Sequence, residues 1–183
     1  MTDGTTLFWV DAGGIRSVPL GGGPVTTIYS SASVSRLRVD SSFLYWGEQF
    51  LIFRKPKASG FQSVVISTNG HVTALHVDES IGWLFWGEQG GGVLATPSSQ
   101  TQGTRVTFQE SSPSRDVTSV GWDGSRALWS DCLQPGNTNC AVRKRQGSTT
   151  TIVTSNKVGV GKLQWDAASM YWGDVGSLRK FVP

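Results

Sequence analysis

The sequence predicts an all-β chain built from a repeated unit of short antiparallel strands, and three observations support this prediction. A five-residue aromatic motif recurs at intervals of 37 to 43 residues. Of the 183 residues, 23 are glycine and 8 are tryptophan, whereas charged residues make up only 16%. Stretches with helical periodicity and runs of about 18 apolar residues are both absent. These features favour sheets joined by many turns, and they predict no membrane span.

The repeated motif carries a tryptophan that is followed two positions later by a carboxylate. Its five copies are LFWVD, LYWGE, LFWGE, ALWSD and MYWGD, which begin near Leu7, Leu44, Leu84, Ala127 and Met170. We treat the chain, residues 1–183, as one domain of repeat units that start at these positions. The residues of the motif that we expect to be structural are Trp9, Trp46, Trp86, Trp129 and Trp172, with Asp11, Glu48, Glu88, Asp131 and Asp174.

Further sequence patterns before and after the motif, which we call phrases, divide each unit into four short strands, named a to d. An L-x-V-D phrase precedes four of the motifs, at Leu37–Asp40, Leu75–Asp78, Val120–Asp123 and Leu163–Asp166. An I-x-R-x-P phrase such as Ile15–Pro19 follows the motif, and then comes a run rich in Val and Thr. The chain holds five b–c pairs but only four a strands and four d strands. We therefore predict 18 strands, with three four-stranded units between two three-stranded units.

A unit of about 40 residues with four strands is typical of a β-propeller blade. A twisted sheet of that size cannot bury either face alone, whereas stacking successive sheets around an axis buries both faces. Alternation along the strand places Leu44 and Trp46 on one face and Tyr45 on the other. Aromatic rings would then fill the space between neighbouring blades. The predicted fold is an all-β propeller of about 4–5 blades.

The motifs LYWGE, LFWGE and MYWGD resemble the Tyr-Trp-Thr-Asp repeat of low-density-lipoprotein-receptor propellers. The longer phrase is similar to secreted or lipid-anchored bacterial propellers of that repeat type, over essentially the entire chain. The resemblance implies the fold but no ligand, because propellers host many unrelated activities. The sequence departs from the repeat in two ways. No unit has Thr at the third position of the motif, and the third unit has Thr96 where Arg is expected.

Ring closure has three interpretations at the level of sequence. The chain could be a fragment of a protein with six to eight blades, or a compact five-bladed ring with two three-stranded blades. Alternatively, incomplete propellers could associate into a homo-oligomer, which would cover their open strand edges and sheet faces. We favour an incomplete propeller that closes or associates.

The acids and bases of the repeat admit a structural and a functional interpretation. A ring of motif carboxylates could bind cations, but one acid at the same place in every unit is what a turn needs to fix its backbone N–H groups. The same structural interpretation covers Asp40, Asp78, Asp123 and Asp166. Basic residues of strand c could bind phosphates or acidic glycans, although packing and pairing with the turn acids explain most of them. We predict no metal site.

Cys132 and Cys140 flank an insertion between strands b and c of the fourth unit. Strand ends approach each other there, so we predict a disulfide. A disulfide indicates an extracellular or periplasmic protein. The N-terminus shows no signal peptide, and a cytoplasmic location stays open.

Catalytic and cofactor motifs are absent. The two histidines, His71 and His76, have no recognisable nucleophile and acid beside them, and no phosphate-binding glycine loop follows a strand. We therefore expect no catalytic residues and no cofactor. The net charge of +3 makes nucleic acid an unlikely partner.

The favoured function is a non-enzymatic recognition or scaffold module that binds a protein or carbohydrate ligand through loops at one end of the propeller. The alternatives are a lyase or glycan hydrolase, which would need loop acids such as Glu110, and a multivalent lectin. The lectin is disfavoured because equivalent loops differ between units. The predicted ligand-binding residues lie in d–a and b–c loops: Asn69, His71, Arg115, Asp116, Lys157, Gln49 and Gln89.

Overall fold

The computed structural model describes residues 1–109, 111–112, 114–166 and 169–182, and these residues form strands and turns without a helix. No helix in this described part of the chain is therefore long and apolar enough to cross a membrane. Glu110, the acid invoked for the enzyme alternative, lies outside the described residues.

Eighteen strands are described, and they form five antiparallel sheets in chain order, numbered I to V. Sheet I contains β1 (Thr6–Asp11), β2 (Gly14–Pro19) and β3 (Thr26–Ser30). Sheet II contains β4 (Val34–Val39), β5 (Phe43–Glu48), β6 (Leu51–Pro56) and β7 (Ser63–Ser67). Sheet III contains β8 (Val72–Asp78), β9 (Trp83–Glu88), β10 (Val93–Pro97) and β11 (Val106–Gln109). Sheet IV contains β12 (Arg115–Trp122), β13 (Ala127–Leu133), β14 (Thr138–Gln146) and β15 (Thr149–Lys157). Sheet V contains β16 (Gln164–Trp165), β17 (Met170–Asp174) and β18 (Ser177–Phe181).

Each sheet is a meander in which consecutive strands pair, so the predicted repeat of four strands is confirmed. Sheets II, III and IV have four strands, and the terminal sheets I and V have three. The aromatic motif forms the second strand of each four-stranded sheet. The turns between paired strands contain many glycines, several of them with positive φ, which L side chains rarely adopt.

Four hydrophobic clusters join each sheet to the next along the chain, and they account for most of the buried apolar side chains. Alternation along β5 places Leu44 and Trp46 against sheet I and Tyr45 against sheet III, as predicted. On β9, Trp86 faces sheet II and Phe85 faces sheet IV. Each middle strand thus supplies side chains to two interfaces, which is how a small sheet buries both faces.

The first strands of the four-stranded sheets lie side by side, with β8 between β4 and β12. Each of the three carries a β-bulge at a similar place, where its register against the second strand shifts. Arg36, in the bulge of β4, has a left-handed backbone with φ of 52°. Bulges re-aim side chains, and here they direct several toward a shared pocket.

The residues before β1 add to sheet I in a way that the sequence pattern did not indicate. Thr2 pairs with Leu7, and the Met1 ammonium donates to the Phe8 carbonyl at 2.7 Å. Asp3 forms an ion pair of 2.7 Å with Lys57 of sheet II. The Lys57 side chain and backbone N–H donors hold the pKa of Asp3 well below its usual range. These contacts tie the N-terminal segment to the first two sheets.

The outer faces of the terminal sheets are open. On β1, Phe8 is buried against sheet II, whereas on the opposite face Leu7 is exposed and Trp9 is only partly buried. On β18, Leu178 is 80% exposed. Within the described residues no hydrophobic cluster joins sheet V to sheet I.

Candidate functional site

The motif tryptophans lie in the interfaces between sheets. Trp46, Trp86, Trp129 and Trp172 are buried, and Trp9 is partly exposed because nothing in the described structure packs on its face of sheet I. The Trp86 indole N–H donates to Glu88 Oε1 at 2.9 Å, and the Trp129 N–H donates to Gln109 Oε1 at 2.9 Å. These contacts are those of core residues.

The motif acids adopt different partners in different sheets. Asp11 accepts a backbone N–H from Gly13 at 2.8 Å in the β1–β2 turn, as expected of a turn acid. Glu48 instead accepts hydrogen bonds from Tyr29 and Ser31 of the preceding sheet, at 2.8 and 2.5 Å. Burial and the Glu48 charge raise the pKa of the Tyr29 hydroxyl. Glu48 therefore links two sheets rather than fixing its own turn.

Three further motif acids likewise have partners beyond their own turn. Glu88 accepts the Asn69 N–H from the loop before β8 at 3.3 Å. Asp174 pairs with Arg179 of the adjacent strand at 3.1 Å. Asp131 is fully buried between Arg115 and Arg143, and the distance from Arg143 Nε to Asp131 Oδ2 is 2.6 Å. A buried carboxylate requires such charge partners.

The aspartates of the L-x-V-D phrases do accept hydrogen bonds from backbone N–H groups in turns. Asp40 accepts the N–H groups of Ser42 and Phe43 at 2.8 and 2.7 Å, and also the Tyr45 hydroxyl. Burial together with the Asp40 carboxylate raises the pKa of Tyr45. Asp78, Asp123 and Asp166 accept backbone N–H groups at the equivalent turns. The described residues contain no group of three or more His, Cys, Asp or Glu side chains that could hold a metal ion.

The predicted disulfide is confirmed. Cys132 and Cys140 are joined with an S–S distance of 2.07 Å, and both are fully buried. They lie on β13 and β14, on the face that packs against sheet V. The bond closes the loop that carries Pro135, Gly136 and Asn137.

Five residues from the loops of sheets II and III gather at one end of the molecule, and we call them the loop-end cluster: Gln49, Phe50, Asn69, His71 and Gln89. All five are exposed. The rings of Phe50 and His71 lie 4.7 Å apart between centroids, with 35° between their planes. Sequence reasoning predicted four of the five but missed Phe50, which is 50% exposed and directly follows Gln49.

Backbone hydrogen bonds hold the loop-end cluster in place. The N–H of Thr68 donates to the Phe50 carbonyl and the N–H of Gln89 donates to the His71 carbonyl, each at 2.8 Å. Gly70 lies against the next turn so closely that a Cβ there would be 2.5 Å from the Gln89 carbonyl oxygen. The loops of sheets II and III therefore form one supported surface.

The other three predicted ligand residues lie on sheet IV and make contacts within the fold. Arg115 pairs with Asp131 and donates to the Asn139 carbonyl at 3.0 Å. Asp116 Oδ1 accepts the N–H of Gly90 at 2.9 Å, which fixes the β9–β10 turn. Lys157 ends β15 opposite Cys140 and is partly buried. Arg115 thus has a structural partner that its sequence context did not reveal.

A pocket that sequence reasoning missed lies where the first strands meet. Two adjoining cavities of about 310 and 370 Å³ share Arg38, Ser119 and Lys162 in their walls. Arg36 lines the first cavity, and His76 and Trp165 line the second. The signal was present in the sequence. Four residues before each repeat Asp the units carry Arg36, Ala74, Ser119 and Lys162, and two residues before it they carry Arg38, His76, Gly121 and Gln164.

Trp165 and His76 pack against each other beside this pocket. Their ring centroids are 5.1 Å apart in an edge arrangement with 67° between the planes. Gly121 makes room for the indole, because a Cβ at that position would lie 1.7 Å from a ring carbon of Trp165. Burial lowers the pKa of His76 to about 4, so the imidazole is neutral near pH 7.

No protein-family model and no curated protein sequence matches the chain. Solved structures do match. Two structures of the extracellular domain of BT4673 from B. thetaiotaomicron, described as a hybrid two-component system in one and a one-component system in the other, are similar over 98% of this chain. Their TM-scores are 0.71 and 0.73, at 14% and 13% sequence identity. The chain spans about a quarter of their length, 26% in both.

Two proteins named as enzymes also share the fold. The tricorn protease matches 94% of this chain and 23% of its own length, with a TM-score of 0.70 and 12% identity. A luciferin-regenerating enzyme matches 82% of this chain and 55% of its own, with a TM-score of 0.61 and 10% identity. At such identities the likeness concerns the fold alone. None of these four structures is named for the Tyr-Trp-Thr-Asp repeat, so that resemblance stays a prediction.

Proposed function

We propose that this chain is part of an extracellular, non-enzymatic recognition module whose loop-end cluster binds a glycan. The observation that carries the proposal is the cluster itself. An exposed Phe50–His71 ring pair is flanked by the amide side chains of Gln49, Asn69 and Gln89 on a backbone held by hydrogen bonds. A ring face gives apolar contact to the C–H face of a sugar, and amides supply both donors and acceptors for its hydroxyl groups.

The scaffold of the proposed module is a propeller-type ring in which each sheet is one blade. The support is the order of the interfaces, since every sheet packs on its sequence neighbour and every middle strand serves two interfaces. Sheets I and V keep open outer faces, and the structural neighbours are about four times as long as this chain. Further sheets, from a longer chain or from a second copy, would complete the ring.

Two findings support the extracellular location. The disulfide between Cys132 and Cys140 persists in oxidising compartments and is rare in the cytosol. Two of the similar structures are extracellular domains. A non-enzymatic role is proposed because the described loop residues at this end form an amide-rich cluster, in which no nucleophile is paired with a base.

A glycan microarray tests the proposal with the disulfide-bonded chain. We expect the double variant Phe50→Ala with His71→Ala to lose most of the signal on the glycans that the wild type binds, while its melting temperature stays within about 2 °C, since both side chains are exposed. The matched control is Phe61→Ala, which removes a ring that is 92% exposed in the loop between β6 and β7. This control should bind like the wild type.

The outcomes separate the alternatives. Equal binding by the wild type and the double variant would remove the loop-end cluster from the site. Absence of glycan binding combined with loop-end-dependent binding of a purified protein partner would replace the glycan with a protein. Turnover of an arrayed glycan by the wild type would favour the enzyme alternative.

A further inference from the structure

The pocket between the first strands has an unusual electrostatic composition. Arg36, Arg38 and Lys162 line it, and none of its described lining residues is Asp or Glu. Burial lowers the pKa of Arg38, and the nearby charge of Arg36 lowers it further. Like charges gathered at one pocket repel each other unless an anion offsets them.

The two arginines donate hydrogen bonds to uncharged groups. Arg38 donates to the Leu37 carbonyl at 2.8 Å, and Arg36 donates to the Thr73 carbonyl. Neither arginine belongs to an ion pair among the described residues, in contrast to Arg115 and Arg143 with their shared Asp131. Their remaining N–H groups are therefore available to an incoming acceptor, and a guanidinium suits a carboxylate or a phosphate.

The pocket wall also contains hydrogen-bonding atoms without a partner. Thr73 Oγ1 and His76 Nε2 are buried, and neither makes a hydrogen bond within the described structure. Thr73 lines the first cavity and His76 lines the second. Most buried polar atoms in proteins are paired, so an unpaired atom beside each cavity calls for a bound group or an ordered water. Ser119 adds a hydroxyl, whose oxygen accepts the Leu163 N–H at 3.1 Å and whose proton can point to the pocket.

The repeat explains why two separate parts of the chain supply cations to the pocket. Arg36 of sheet II and Lys162 of the segment before sheet V occupy the same repeat position, four residues before the repeat Asp. The equivalent residues of sheets III and IV are the small Ala74 and Ser119. Two long cationic side chains and two small residues from equivalent repeat positions thus line the same pocket.

From these contacts we infer that the first-strand pocket binds an oxyanion, namely the carboxylate or phosphate group of a small ligand, between Arg36, Arg38 and Lys162. The combined volume suits a group of that size together with a small organic substituent. Trp165 lines the second cavity and offers an apolar surface for such a substituent. This site uses residues that are separate from the loop-end cluster, so it goes beyond the proposed glycan recognition.

Isothermal titration calorimetry on the chain tests the inference. The two probes are sodium phosphate and sodium propionate, titrated at constant ionic strength into protein without an N-terminal tag, because Met1 lines both cavities. Neither probe is a sugar, so binding at the loop-end cluster does not contribute to the signal. We expect saturable binding of at least one probe. Binding of phosphate alone would identify the phosphate group as the ligand chemistry, and binding of propionate alone would identify the carboxylate. Propionamide is the uncharged control and should give no heat of binding.

Variants identify the site. Arg38→Gln and Lys162→Gln should each weaken the binding of that probe about tenfold, since each removes a charge-assisted hydrogen bond. Lys162 is exposed and precedes β16, so its substitution leaves the fold intact even if Arg38→Gln does not. The matched control is Arg105→Gln, which removes one positive charge from an exposed position before β11.

Two results would overturn the inference. One is the absence of saturable binding of both probes to the wild type. The other is an Arg105→Gln variant that weakens binding as much as Lys162→Gln, because the effect would then come from overall charge. Neither result bears on the glycan microarray, which depends on Phe50 and His71.

Discussion

The interfaces between sheets and the open terminal faces contain the same repeat residues in different surroundings. Trp86 occupies the interface between sheets II and III and is fully buried, whereas Trp9 holds the same motif position on sheet I and is partly exposed. Asp131 is buried between two arginines, whereas Asp11 pairs with Arg16 at the surface. The motif therefore specifies a strand and the face of the sheet on which each side chain lies. The presence of a neighbouring sheet determines how much each of these residues contributes to stability.

The largest expected effect is that of Trp86→Ala. Removing this indole leaves a cavity between sheets II and III and deprives Glu88 Oε1 of one of its two hydrogen-bond donors, so we expect the free energy of unfolding to fall by about 3–5 kcal/mol. Urea denaturation monitored by circular dichroism measures the change. A loss below about 1 kcal/mol would mean that the interface is not a packed core.

Asp131→Ala gives the next effect in size. Without the buried carboxylate the partly buried guanidinium groups of Arg115 and Arg143 lose their partner, and we expect a loss of about 3 kcal/mol. Asp11→Ala is the matched control at the same motif position. Its ion pair is exposed, with a distance of 3.3 Å, and solvent screens it, so the loss should be much smaller than that of Asp131→Ala. Equal losses in the two variants would show that burial does not determine how much the motif acid contributes to stability.

The pH dependence of the free energy of unfolding tests the burial of His76 on β8. Burial lowers the pKa of His76 to about 4 from 6.5, so the unfolded chain binds a proton that the folded chain does not bind between these values. Stability should therefore decrease as the pH falls from 6.5 toward 4, by at most about 3 kcal/mol from this group. His76→Gln should remove that part of the pH dependence, while His71→Gln, on an exposed loop, should retain it.

Trp9→Ala should have the smallest effect, below about 1 kcal/mol, because the indole is only partly buried. The same denaturation assay measures it. A loss comparable to that of Trp86→Ala would show that another surface covers sheet I in solution. Sedimentation of the wild type and the variant would then reveal whether a second copy is that surface.

Much of the fold could be predicted from the sequence because the repeat carries independent signals. Five tryptophans, four L-x-V-D phrases and the runs rich in Val and Thr each mark a strand, and the alternation around Tyr45 assigns its neighbours correctly. The residues before β1 were not predicted, because Met1 and Thr2 pair with β1 without any strand-like pattern.

The candidate site was less predictable, for two physical reasons. Loop residues were chosen by polarity, which identified Asn69 and His71 but overlooked the exposed ring of Phe50 beside them. The partners of Arg115 depend on the burial of Asp131, a property of the folded interface. The basic residues of the pocket could be read from their repeat positions, but their shared location depends on β-bulges in the first strands, and bulges leave little trace in a single sequence.

The division of the core into four clusters, each shared by adjacent sheets only, has a consequence for cooperativity. Apart from the contact between Trp165 of sheet V and His76 of sheet III, each sheet is stabilised mainly by its immediate neighbours, so the described residues behave as a short linear array of coupled units. The sheets at the two ends of this array share one hydrophobic cluster each and should fray first. Amide exchange is then slowest in the centre at β9 and fastest at β3 and β18, a gradient that addition of a sixth unit would shift along the chain.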